Sequence, residues 1–348
     1  MARASQKNTR KLDDLPGLFD LPSYTPDSNV MHDALMSHRS HQSTPDKPLG
    51  YRDIERHMKE QTPRHNELEF ISFGSGSSGN CAYIGIRGMG GVLIDAGVDY
   101  KTVLSELERN YIPLDKISGI IITHDHSDHV RYAYSLLRKL PKMLVYCTPR
   151  TLSGMLRRHN ISSRIKDYHK PIFKEFDFQA GPLTITPFEV SHDGTDNVGF
   201  SILAGNKRFV VATDMGILTD RANFYIAKAN YLMIETNYDN EMLERGRYPL
   251  HLKARIRSNI GHLCNDFTAS YLAGIWEKKL TDIFLCHLSE DNNTPEIALK
   301  AVRSQLTSHG IAVGDGSASA AALEADVQLV ALPRYDSSPH FILRIDRD

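Results

Sequence analysis

Thr123-His124-Asp125-His126-Ser127-Asp128-His129 follows directly on Ile120-Ile121-Ile122, and the fold is read outward from this stretch. The apolar triplet has the character of a strand, and the polar run is the loop that the strand delivers. His124, His126, Asp128 and His129 put metal-competent side chains into six residues. Histidine supplies a neutral imidazole nitrogen and aspartate an anionic oxygen, so T-H-x-H-x-D-H offers two divalent ions a mixed nitrogen and oxygen environment. A solvated polar turn after a buried strand is the plain alternative. It would require no further ligand-type residues, yet such residues recur downstream.

Asp95 follows Val92-Leu93-Ile94, His192 closes Thr186-Pro187-Phe188-Glu189-Val190-Ser191, Asp214 follows Val210-Val211-Ala212-Thr213, and His287 follows Phe284-Leu285-Cys286. Each stands at the carboxyl end of an expected strand, where a loop can carry its side chain toward a shared site. Taken singly, any of them is an ordinary polar residue after a strand. Their order behind the motif makes them a set.

The rest of the chain sets bounds. Its 348 residues and 41% apolar content allow a sizeable core in one large domain or two ordinary ones. A formal charge of -1 carries no information about partners. No window approaches 18 consecutive apolar residues, and Met1-Ala2-Arg3-Ala4-Ser5-Gln6-Lys7 lacks the apolar core of a signal peptide, so a soluble cytoplasmic protein without a membrane partner is expected. Cys81, Cys147, Cys264 and Cys286 are scattered without a CxxC pair, as reduced thiols would be.

Residues 1–66 are rich in Ser, Pro, Asp, Arg and His without a sustained period, so a disordered or loosely docked arm is expected there, with the folded domain over 67–348. Strands are expected at Phe70-Ile71-Ser72-Phe73, Cys81 to Ile86, Val92 to Ile94, Ile120 to Thr123 and Met143 to Tyr146. Helices are expected from about Lys101 to Asn110 and from Tyr132 to Lys139. The pattern then turns strand-rich through Leu183 to Thr186, Gly199 to Leu203 and Phe209 to Ala212. Phe267, Tyr271, Leu272, Ile275 and Trp276 give Asp266 to Lys279 an amphipathic spacing, with Asn265 as N-cap. The strand Ile283 to Cys286, a helix from about Thr294 to Leu306, and a last strand pair at 327–332 and 341–345 complete the pattern.

At the motif and the strand-end residues the sequence resembles the metallo-β-lactamase superfamily of binuclear hydrolases, over most of the span from about Phe70 to Leu306. That resemblance implies an α/β fold, a four-layer αβ/βα sandwich with two metals, zinc or manganese, in a groove at one edge of its sheets. It also implies that His124, His126 and His192 hold one ion, that Asp128, His129 and His287 hold the other, and that Asp214 bridges both. Asp95 then orients a ligand histidine from behind. Asp214 stands where true β-lactamases often use cysteine, which disfavours antibiotic hydrolysis. Two cations about 3.5 to 4 Å apart lower the pKa of a shared water from about 15.7 toward neutrality, so a bridging hydroxide is the expected nucleophile.

Three further segments narrow the branch. Gly74-Ser75-Gly76-Ser77-Ser78-Gly79-Asn80-Cys81, Asn259-Ile260-Gly261-His262-Leu263-Cys264-Asn265 and Leu285-Cys286-His287-Leu288-Ser289-Glu290-Asp291-Asn292-Asn293 together resemble the YycJ family, also called WalJ or VicX, of bacterial metallo-β-lactamase-fold exonucleases. The family implies metal-dependent hydrolysis of DNA from the 5′ end, with a proposed place in DNA repair. Alone, G-S-G-S-S-G-N reads as a structural or phosphate-cradling turn. His262 is similar to the histidine that phosphodiesterase members place over the scissile group, which with Asp128 and Asp214 gives the expected catalytic set; helix capping, or support of a metal ligand from behind, is its structural alternative. Arg245, Arg247, Lys253, Arg255 and Arg257 form a local basic stretch suited to backbone phosphates, although such runs are commonly solvated faces.

Within the arm, Leu15-Pro16-Gly17-Leu18-Phe19 has a faint likeness to peptides that bind the bacterial sliding clamp, without their usual leading glutamine. Docking onto its own domain is the stronger reading of that pentapeptide. Three competing functions share the motif: a small-molecule phosphodiesterase, an ester or thioester hydrolase, and a catalytically silent regulatory protein. The intact set of ligand positions argues against the last.

Overall fold

In β1 (Glu67–Gly74) Leu68 and Phe70 enter one apolar cluster, whereas Ile71 and Phe73 enter another. Side chains alternate across a strand, so a run that is apolar throughout is buried on both faces. The same division recurs along the chain. Val92 and Ile94 face away from Leu93 in β3 (Gly90–Ile94), and Phe209 and Val211 face away from Val210 and Ala212 in β10 (Lys207–Ala212). The computed structural model describes residues 66–317 and 319–345. The arm expected over 1–66, with its clamp-like pentapeptide, lies outside the described residues except for Asn66.

The remaining strands are β2 (Cys81–Ile86), β4 (Ile117–Ile121), β5 (Leu144–Cys147), β6 (His169–Pro171), β7 (Phe178–Ala180), β8 (Leu183–Glu189), β9 (Val198–Ala204), β11 (Tyr231–Glu235), β12 (Asp282–Cys286), β13 (Val313–Gly314), β14 (Val327–Ala331) and β15 (Phe341–Arg344). They form two sheets, ordered β15-β1-β2-β3-β4-β5-β6 and β13-β14-β12-β11-β10-β9-β8-β7. In both sheets an antiparallel half gives way to a parallel half: β3 pairs parallel with β4, and β10 with β11. One cluster lies between the sheets, where Phe70 stacks at 4.9 Å on both Phe209 and Phe284. The outer faces pack on helices, among them Tyr100–Arg109 and Pro149–Arg158 on the first sheet and Asn265–Ile275 and Pro295–Ser308 on the second. This is the expected four-layer αβ/βα sandwich.

Two expectations need correction. The last two strands do not pair with each other: β14 lies parallel to β12 in the second sheet, and β15 lies antiparallel to β1 in the first. The connection crosses from sheet to sheet and is fastened where Ser338 N donates to Ser72 O and Ser72 N to Ser338 Oγ. The helix expected over Asp266 to Lys279 runs Asn265–Ile275, with Cys264 at its N-cap position. Asn265 cannot cap, because its amide is buried against Asn293, donating to Oδ1 at 2.9 Å. Beyond Ile275 the chain turns extended at Trp276, whose indole donates to Leu280 O. The four cysteines are free, as expected. Among the described residues no helix is long and apolar enough to cross a membrane.

At the end of the sandwich where β12 begins, Asp282 lines a cavity of about 570 Å³ with Lys207, Lys279 and Arg344. Burial pushes its carboxyl up to about 6, against a hydrogen bond from Thr281. The folded-state value lies above the unfolded one, near 3.9, so the carboxyl favours folding most below that value and the advantage is lost as the pH rises to about 6. Asp282→Asn is therefore expected to stabilise the protein at pH 7.5, by up to about 2–3 kcal/mol, and to give no gain at pH 3.5. Urea unfolding at the two pH values checks this, and an equal effect at both would contradict it.

Candidate metal centre

The parallel halves of the two sheets present the carboxyl ends of β3, β4, β10, β11 and β12 along one edge, and the loops that leave them carry the candidate residues. Three of these residues sit in the left-handed backbone region: Asp95 at φ 59, Asp214 at φ 54 and His287 at φ 53. That conformation is uncommon for a residue with a side chain and tends to cluster where function over-determines the backbone. Here it turns each strand end sharply, so that its side chain enters the common site.

Donor atoms of His124, His126 and His192 lie within 4.8 Å of one another, as do those of Asp128, His129 and His287, and those of His124, His129 and Asp214. Asp214 spans the two histidine groups, with Oδ2 3.4 Å from His129 Nε2 and Oδ1 3.7 Å from His192 Nε2. Asp95 Oδ2 lies 2.7 Å from His129 Nδ1, and its Oδ1 accepts from Thr123 N. His192 Nδ1 lies 3.0 Å from Gly261 O. Each of these contacts uses the Nδ1 proton and leaves Nε2 with its lone pair facing the centre.

Burial and the carboxylates act in opposite senses on the imidazoles of the centre. Burial pushes the His192 imidazole down to about 4 despite the pull of Asp214. Burial also lowers His124, and His129 adds to the effect. In Asp128 and Asp214 burial opposes ionisation, but the surrounding imidazoles outweigh it and hold both carboxyls well below the usual range. His287 is held at about 10, because Asp214, Asp128 and Glu235 outweigh its burial.

Two atoms test whether a metal fits. Among the described residues His124 Nε2 and His287 Nε2 are buried without a hydrogen-bond partner, the nearest carboxylate oxygen to the latter being Asp128 Oδ2 at 3.6 Å. An unpaired buried nitrogen is costly, and imidazoles beside anionic oxygens, His287 among them once it gives up its proton to a metal, are the donor set of a divalent transition metal. The residues present fit such ions.

Comparison with known proteins agrees with this geometry. Residues 91–275 match a family model described as "Beta-lactamase superfamily domain". The chain is 34% identical to "Exodeoxyribonuclease YycJ" of Bacillus anthracis over 71% of its own length and 92% of that protein's. It is likewise 34% identical to "Exodeoxyribonuclease WalJ" of Streptococcus pneumoniae over 71% of its length and 91% of that protein's. The chain belongs to the YycJ/WalJ family of metallo-β-lactamase-fold hydrolases. Among solved structures, the metallo-β-lactamase-fold protein YhfI of Bacillus subtilis superposes with a TM-score of 0.55, covering 79% of this chain and 100% of that one at 16% identity. That likeness concerns the fold alone. Membership makes the protein a metal-dependent hydrolase.

In this YycJ/WalJ member the three family segments act as braces around the centre. Ser75 Oγ accepts from His287 N, Asn80 N donates to Asp128 O, and the Asn80 amide reaches Asp128 Oδ2 at 3.2 Å. Asn265 and Asn293 exchange hydrogen bonds, and Asn293 also donates to Thr236 O and Asn237 O. The G-S-G-S-S-G-N turn thus fixes two candidate ligands from a distant part of the chain.

Glu235 was not singled out in the sequence. It closes β11 fully buried, with Oε1 2.6 Å from His262 Nδ1 and 3.1 Å from His287 Nδ1, while Oε2 accepts from Met215 N. His262 is therefore not a helix cap: its ring centroid lies 5.1 Å from that of His192 and 5.2 Å from that of His287. Asp193 is a second omission, bridging His126 Nε2 at 3.2 Å and Arg255 Nε at 2.6 Å. The signal for Glu235 was available, since a carboxylate ending an apolar strand is the pattern that marks Asp95.

The basic stretch is largely neutralised by its neighbours. Arg245 pairs with Glu241, Arg257 with Glu244 and Arg255 with Asp193, and Lys253 donates to Glu244 O. Arg247 is exposed. Of the five, Arg255 is tied to the centre through Asp193.

Proposed function

We propose that the protein is a binuclear, metal-dependent 5′-to-3′ DNA exonuclease that serves DNA repair. The observation that carries this reading is the placement of His262 among the candidate ligands, with its Nδ1 held by buried Glu235. The names of the 34% identical relatives support DNA as the substrate.

In this reading His124, His126 and His192 hold one ion, Asp128, His129 and His287 the other, and Asp214 both. Two divalent cations, zinc or manganese, would supply Lewis acidity there, acidifying water and stabilising negative charge on the phosphoryl oxygens. Asp95 fixes the His129 ring by accepting a hydrogen bond from its Nδ1–H, and Gly261 O does the same for His192. Glu235 holds the Nδ1 proton of His262 and so leaves Nε2 to act toward the substrate. With a proton on each ring nitrogen, His262 gives the Nε2 proton to the leaving oxygen and is left neutral with Nδ1–H on Glu235, or donates a hydrogen bond from Nε2 to a non-bridging oxygen. Asp128 and Asp214 stay ionised and face the reacting group as acceptors.

The deciding experiment uses metal-reconstituted protein and duplex DNA labelled separately at each end. Release of short products from the 5′-labelled end, with the 3′ label retained on a shrinking strand, is the expected result. Internal cuts would overturn the exonuclease assignment. Turnover of thioesters or short diesters without DNA hydrolysis would move the substrate to a small molecule.

Affinity for DNA should also depend on salt. If about four phosphates are contacted, the logarithm of affinity falls against that of salt with a slope near -3.6. Arg247, Lys253, Arg255 and Arg257 are the proposed contacts, and replacing Arg255 and Arg257 by alanine should make the slope shallower. Titration of His262→Ala protein with labelled duplex at several salt concentrations measures this, and a flat dependence would contradict it.

A further inference from the structure

Ile217 and Ile260 leave 41% and 48% of their surface exposed beside a centre built of charged and polar groups. Ile217 lies three residues after Asp214, and Ile260 two before His262. Their loops touch. A Cβ added at Gly216 would lie 2.3 Å from the carbonyl carbon of Asn259 and 2.5 Å from Gly261 N, so the backbone on either side of Ile260 presses against the residue preceding Ile217. The contact is pinned from below: Gly216 N donates to Ser191 O, Ser191 Oγ donates to Asn259 O, and His192 Nδ1 lies 3.0 Å from Gly261 O. The backbones that carry these two exposed apolar residues are thus held side by side by the segment that carries His192.

We propose that Ile217 and Ile260 form an apolar lip that receives the terminal nucleobase of a DNA end next to the scissile phosphate. This rests on the reading of the substrate as DNA. A nucleotide's phosphate and sugar are polar and match the imidazoles and carboxylates of the centre, whereas the flat face of its base matches an aliphatic surface. Isoleucine side chains are among those that wedge against base steps, and contact with a base face tolerates any sequence. An enzyme that shortens DNA from an end needs such tolerance. The lip is preformed, because the hydrogen bonds that fix it lie in the protein itself.

The test compares a 5′-labelled duplex with one whose 5′-terminal nucleotides are abasic tetrahydrofuran residues, using manganese-reconstituted full-length protein. The wild type is expected to cleave the abasic end roughly tenfold less efficiently in kcat/KM. The double variant Ile217→Ser/Ile260→Ser should lose about the same factor on the normal end and nothing further on the abasic end, since the two changes remove one contact. Ile217→Leu/Ile260→Leu should retain wild-type efficiency on the normal end. Equal losses of the serine variant on both ends, or none on the normal end, would overturn the lip. Wild-type protein that cleaves both ends equally overturns the lip and leaves the DNA reading standing; wild-type protein inert on both overturns the two together.

Discussion

Reconstituted with excess Mn²⁺ or Zn²⁺, the protein is expected to hold two divalent ions per chain, and His287→Ala or Asp128→Ala to hold one. Seven candidate donor side chains are too many for one tetrahedral ion. His124 Nε2 and His287 Nε2, which lack a hydrogen bond among the described residues, lie in different donor groups, the first with His126 and His192, the second with Asp128 and His129. Stripping the ions with a chelator should lower the rate by about three decades or more, since Lewis acidity of this kind is worth several kcal/mol. Stability should fall as well: an ion held at about a thousand times its Kd contributes roughly 4 kcal/mol to folding. Elemental analysis and thermal unfolding of the stripped and reloaded protein measure both effects. A stoichiometry fixed at one in the wild type and unchanged in both variants would refute the binuclear assignment.

The strand-end residues were legible in the sequence because their chemistry and their place coincide. Asp95, Asp214 and His287 each close an apolar run, and nothing beyond the local pattern is needed to set them at a sheet edge. Glu235 obeys the same rule, yet no motif flanks it in Tyr231-Leu232-Met233-Ile234-Glu235, so nothing drew attention to that strand. The braces were illegible for a different reason. Ser75 reaches His287 across 212 residues and Asn80 reaches Asp128 across 48, so neither contact leaves a periodicity or a local spacing. The G-S-G-S-S-G-N segment could be read as a turn but not as a clamp on two candidate ligands.

Charge shows the limit most plainly. Arg245 with Glu241 is an i,i+4 pair that the sequence displays openly. Arg255 with Asp193 joins residues 62 apart, and only the folded chain shows that this arginine is committed to a carboxylate beside His126. The same loss of local information separates β14 from β15. Two apolar runs nine residues apart resemble a hairpin, but Phe341 packs on Phe70 and Phe284 between the sheets, and that contact draws β15 to β1.

His262→Ala is expected to keep both ions and the fold while losing about 10² to 10⁴ in the rate of diester hydrolysis, the usual worth of a positioned general acid. His262 offers a donor atom within 4.8 Å of those of Asp214, Glu235 and His287, and its hydrogen-bond partner sets its role apart from theirs. Its Nδ1 is directed to Glu235 Oε1 at 2.6 Å, while the nearest oxygen of Asp214 is 3.9 Å away. Glu235→Gln removes the negative charge but keeps a side chain of the same shape, so it should lower the rate in the same direction with a smaller loss and leave KM almost unchanged. The double variant should be slower than His262→Ala only by the part of the Glu235→Gln loss that passes through His287, which Glu235 also contacts at 3.1 Å. A DNA whose leaving oxygen is replaced by sulfur gives an independent readout, because a thiolate departs without a proton. On that substrate the His262→Ala rate should return to within about an order of magnitude of the wild type. Wild-type rates for His262→Ala on ordinary DNA across pH 6 to 9 would assign the histidine a structural role. A loss equally large on both substrates would place its contribution on the non-bridging phosphoryl oxygens instead of the leaving group.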